Sequence, residues 1–102
     1  MNEKLFKAMI KVIKDEKLED TVDYISTNLG IKSKGLSEKV KAITRKRGLR
    51  YFLEKVFTVR QLKLIAKELG IKGYSKYNGD QLVSLLSGER VVDNHELSLI
   101  HI

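Results

Sequence analysis

Apolar residues recur along this chain every three or four positions, the spacing of one face of an α-helix. Leu5, Phe6, Met9, Ile10, Val12 and Ile13 predict a first amphipathic helix over about 3–15. Val22, Ile25 and Leu29 share the face of a second, with Asp20 or Thr21 as candidate N-caps and Gly30 as its stop. Ser37 is placed to cap a third helix over about 37–47, with Leu36 able to staple onto Val40. On a straight helix Leu49, Phe52, Leu53 and Val56 would point away from the Leu36–Val40–Ile43 stripe. A break near Gly48 reconciles the two faces.

Thr58 opens the next predicted helix, about 59–69, whose inner face is Leu62, Ile65, Ala66 and Leu69, and Gly70 ends it. The connector "IKGYSKY" then leads to a short helix started by Asn78 or Asp80, with Leu82, Leu85 and Leu86 inward and Gly88 closing it. The tail "ERVVDNHELSLIHI" reads either as a capped helix or as a strand at "LSLIHI". Its Leu97, Leu99, Ile100 and Ile102 need cover, and packing on its own domain is favoured over a homodimer formed through the tail. The pattern is thus all-α: a small multi-helix domain with a helical region over 1–57, a helix–connector–helix unit over 58–88, and a tail over 89–102. "LGIK" occurs at 29–32 and again at 69–72, and the same offset aligns Val22 with Leu62 and Ile25 with Ile65. Two readings of this echo stay open, a degenerate second copy over 20–47 and a C-cap pattern common to many helices.

Composition agrees with a packed helical domain, since 42% of the 102 residues are hydrophobic and none is proline. With no cysteine there are no disulfides or zinc-thiolate sites, and a cytoplasmic setting is expected. No apolar run approaches the roughly 20 residues of a membrane span. The first residues, "MNEKLFKAMIKVIKDEK", are too evenly charged for a secretory signal.

The stretch "TVRQLKLIAKELGIKGYSKYNGDQLVSLL", residues 58–86, resembles the helix–extended loop–helix family, which includes SAP-like motifs and the N-terminal domain of the transcription terminator Rho. Leu62, the "AKELGI" run at 66–71, Gly73, Tyr74, Ser75 and Leu82 carry the resemblance. It implies two short helices packed across an extended connector, in a module that most often binds nucleic acid and in one branch binds protein. Family members commonly carry lysines just before the second helix. Here Asn78, Gly79 and Asp80 stand there, which suits a turn and cap but puts a negative charge where a phosphate would sit. Lys72 and Lys76, on the connector, are the motif's better phosphate candidates.

Charge moves attention to the middle of the chain. The net charge is +7, yet residues 31–60 alone carry ten basic side chains against Glu38 and Glu54, a local excess of +8. Such clustering points to a polyanion. Within "KVKAITRKRGLRYF", Lys39, Lys41, Arg45, Lys46, Arg47 and Arg50 form the candidate nucleic-acid-binding set, joined by Lys72 and Lys76. Arginine forks suit phosphate oxygens, while cations near a helix C-terminus also serve the macrodipole. Aromatics beside cations can stack on exposed bases, yet Phe52 fits the apolar face, Tyr51 is open to either role, and Tyr74 and Tyr77 are expected to brace the connector.

Catalysis is not expected. His95 and His101 lie six residues apart without acidic or cysteine partners, and neither a phosphate-cradling loop nor a nucleophile–base set is present. No cofactor or metal is expected. The sequence therefore reads as a small, non-catalytic protein that grips the phosphate backbone, DNA rather than RNA. The alternative is an adaptor, or an inhibitor or regulator of the phage or mobile-element type, docking its basic patch on an acidic protein surface.

Overall fold

The computed structural model describes residues 2–88, and every regular element among them is helical. In chain order these are α1 (Glu3–Asp15), α2 (Glu19–Asn28), α3 (Leu36–Arg47), α4 (Leu49–Val56), α5 (Val59–Glu68), a single 3-10 turn (Tyr74–Lys76) and α6 (Gly79–Leu86). The tail and its two histidines lie outside the described residues. None of these helices is long and apolar enough to cross a membrane.

The helices pair in chain order. α2 packs on α3 and α5 packs on α6; α1 lies against α5, while α4 runs from α3 to α6 and joins the two pairs. One apolar cluster draws on all six. Met9 and Ile13 of α1, Val22 of α2, Val40 and Ile43 of α3, Phe52 and Leu53 of α4, Ile65 of α5 and Leu82 of α6 are fully buried. Each of these helices is too short to hold together alone in water, so the shared core is what stabilises them. Phe52 is its largest fully buried side chain and meets Phe57 edge-on, ring centroids 5.9 Å apart. Tyr51, Tyr74 and Tyr77 are half-buried against the same cluster.

Helix ends account for the boundaries. α1 starts where the Asn2 side chain accepts from the Lys4 and Leu5 amides. α5 and α6 each start on a reciprocal capping box, Thr58 with Gln61 and Asn78 with Gln81. Asn78, not Asp80, is thus the cap of α6. α2 and α3 start earlier than their expected caps. The N-cap of α2 is Leu18, so Asp20 sits inside the first turn with Glu19, where negative charge suits the helix dipole. The N-cap of α3 is Gly35, and Ser37 falls within the helix. Gly48, with φ +94°, both ends α3 and begins α4, and the new direction sends Phe52, Leu53 and Val56 to the core.

Two ion pairs fasten α1 to α5. Lys11 Nζ lies 2.6 Å from the Glu68 carboxylate. Arg60 pairs with Glu16, which also accepts from Gln61 Nε2 at 3.4 Å. The hydrogen bond from Arg60, seconded by Gln61, holds the Glu16 carboxyl below its ordinary range, and the bond to Glu68 raises the Lys11 ammonium above its own.

Candidate nucleic-acid interface

An α-helix turns about 100° per residue, so a charge run that is continuous in sequence is distributed around the helix in space. On α3 the basic residues separate onto two sides. Lys39 and Lys46, nearly two turns apart, face α2. The Lys39 ammonium is 2.6 Å from the Asp23 carboxylate, and Lys46 donates to the Leu29 carbonyl at 2.8 Å, serving the C-terminal end of α2. Lys41 and Arg45, one turn apart, face α1 instead. Lys41 Nζ lies 5.2 Å from the Phe6 ring centroid.

Arg47, at the end of α3, reaches across the Gly48 break to Tyr51. Its guanidinium is 5.4 Å from the ring centroid, and Lys55 approaches the same ring at 5.9 Å. Two cations thus share one half-buried aromatic. A cation over a ring keeps its charge and its N–H donors, so this pair remains able to meet an anion. Lys55 was not among the residues singled out from the sequence, although its i,i+4 spacing from Tyr51 on α4 was the signal that could have found it.

Arg50 has a different job. Its Nε lies 3.0 Å from Glu54 and its Nη2 2.6 Å from Asp80, while Nη1 donates to Ser84 Oγ at 3.1 Å. The planar fork therefore ties α4 to α6. It also neutralises Asp80, in the first turn of α6. Lys72 is exposed on the connector, and Lys76, ending the 3-10 turn, sits 5.4 Å from the Tyr77 ring centroid.

Of the eight candidate cations, Lys39 and Arg50 are thus committed to carboxylates and Lys46 to a helix end. Lys41, Arg47 and Lys76 rest on aromatic rings. Arg45 and Lys72 form no ion pair among the described residues. Arg45 and Lys41 border an open groove of about 740 Å³ between α1, α3 and the start of α4, to which Lys7 and Glu3 of α1 also contribute. Lys7 enters this group only through the packing of α1, and no spacing in the sequence signals it. No group of three or more His, Asp or Glu side chains among the described residues is placed to hold a metal ion. Comparison with protein-family models, curated proteins and solved structures found no match.

Proposed function

We propose that the protein is a small, non-catalytic nucleic-acid-binding module, DNA favoured over RNA, that grips the phosphate backbone. The observation that carries this reading is the unneutralised cationic surface of α3: Lys41, Arg45 and Arg47 are exposed and paired with no carboxylate among the described residues. Lys72 and Lys76 add to it from the connector. The resemblance of residues 58–86 to helix–extended loop–helix modules supports the same reading. Arg50 is assigned to holding α6 in place rather than to phosphate.

Binding of labelled DNA across a salt series tests the proposal. Four or so phosphate contacts should weaken binding on the order of a hundredfold between 50 and 200 mM salt. A flat response sinks it. A second reading, an adaptor docking on an acidic protein surface, draws on Asn78, Gly79 and Asp80, which stand where the resembled modules commonly carry lysines before their second helix. Recovery of one stoichiometric protein after nuclease treatment, with no salt-dependent DNA binding, would favour that reading instead.

A further inference from the structure

The groove between α1 and α3 has a composition that a flat phosphate-binding patch lacks. Phe6 and Leu49 give it an apolar lining, while Lys7, Lys41 and Arg45 place cations around it. Glu3 is the one acid there and already pairs with Lys7 at 3.4 Å. Lys41 stands over the half-buried Phe6 ring. An aromatic ring beside converging cations in a concavity matches the two parts of a nucleotide, a π-face to stack and a phosphate to neutralise.

Building on the phosphate-binding reading, we propose that this groove takes an unpaired nucleotide of a single strand. Its base stacks on Phe6, and Lys41 moves off the ring to meet the phosphate together with Arg45. Duplex DNA cannot use such a site, because its bases are stacked on one another and only its phosphates are presented outward. The arrangement of α3 points the same way. Lys39 and Lys46 are occupied toward α2, so α3 lacks the continuous row of free cations that would track a duplex backbone. Lys41 and Arg45 remain together, one helical turn or about 6 Å apart along the axis. A stacked base contributes more than an exposed lysine–ring contact does, so exchanging one for the other is favourable.

The test uses the full chain with a labelled 12-nucleotide single strand and a duplex of equal length, followed by fluorescence anisotropy at fixed salt. The single strand should bind at least about fivefold tighter. Phe6→Leu, which keeps the apolar lining and removes the ring, should lose about fivefold or more for the single strand and leave the duplex unchanged. The chain has no tryptophan. Phe6→Trp therefore adds a unique reporter whose emission should be quenched as the single strand saturates, a readout that stands even if Phe6→Leu folds poorly. Equal affinity for the two forms, or binding without quenching, overturns the groove assignment and leaves the phosphate-backbone reading intact. Loss of binding to both forms in the unaltered chain overturns that reading as well. An acidic peptide that quenches the reporter and displaces the single strand at lower concentration would assign the groove to a protein ligand and overturn the proposal.

Discussion

The two helix pairs end their first helices identically and begin their helices differently. In the α2–α3 pair the Gly30 amide bonds the Thr27 carbonyl at 3.1 Å and the Ile31 amide bonds that of Ser26 at 2.9 Å. In the α5–α6 pair Gly70 and Ile71 make the equivalent bonds to Lys67 and Ala66, at 3.0 and 3.1 Å, and the two glycines have φ of +72° and +73°. This is one C-cap solution used twice. The starts diverge: α5 and α6 each carry a reciprocal capping box, whereas α2 and α3 have no side-chain cap. The connector of the second pair holds a 3-10 turn braced by Tyr74 and Tyr77, and that of the first holds no regular element. The pair with self-sufficient ends is the one whose helices are fixed locally. The basic pair depends on the common core and on two lysines reaching from α3 to α2.

If the pairs do share one core, removing its largest side chain should melt them together. Phe52→Ala is expected to cost about 3–5 kcal/mol, and denaturant unfolding followed by circular dichroism should remain a single transition. Two separated transitions would show that each pair has a core of its own. The next effects are smaller and discriminate between the pairs. Thr58→Ala or Asn78→Ala should each cost about 1 kcal/mol, whereas Ser37→Ala should be close to neutral because Ser37 caps nothing. Equal losses at all three positions would erase the contrast in how the pairs begin.

The end of α1 uses the same C-cap bonds. At the end of α1 the Leu18 amide bonds the Ile13 carbonyl at 2.8 Å and the Lys17 amide bonds that of Lys14 at 3.3 Å. The left-handed position is here a lysine, with φ +57°. A side chain there costs what Gly30 and Gly70 avoid. Lys17→Gly should therefore stabilise the protein by about 0.5 kcal/mol, the relief of strain being partly offset by greater freedom of the unfolded chain. A loss of stability would mean that Lys17 makes a contribution the backbone geometry does not reveal.

Much of this architecture was legible in the pattern of apolar residues and glycines, because helix faces and C-caps are local. The starts of α2 and α3 were not. A capping side chain is the local signal of a helix start, and the N-caps of α2 and α3, Leu18 and Gly35, supply none. Gly79 reads as a turn residue, yet its role is close approach: a Cβ there would lie 2.9 Å from Val59 Cγ2. At the site, charge density was legible and its partition was not. Lys39 meets Asp23 across 16 positions and Arg50 meets Asp80 across 30, so which cations are neutralised depends on which helix packs on which side of α3.

The smallest expected effect concerns the ion pairs that tie α1 to α5. Lys11 pairs with Glu68 and Glu16 with Arg60, both residues of α5. Arg60 and Gln61 lower the Glu16 pKa in the folded state, so folding is favoured by its ionised form. That contribution is fully present above the ordinary Glu pKa of about 4.3. It fades as pH falls through the lowered folded value, where the folded state also takes up the proton. Glu16→Gln should thus lower the melting temperature slightly at pH 7, with the difference from the unaltered chain shrinking through the acid range to nothing. Lys11 has the opposite sign: while Glu68 is ionised, its raised pKa favours folding below the ordinary Lys value, and the gain is lost as pH climbs through the folded one. Lys11→Met should therefore show its deficit at pH 7 and approach the unaltered chain as the ammonium loses its proton in strong alkali. A Glu16→Gln deficit that persisted unchanged at low pH would mean that Glu16 acts through packing on Gln61 rather than through its charge.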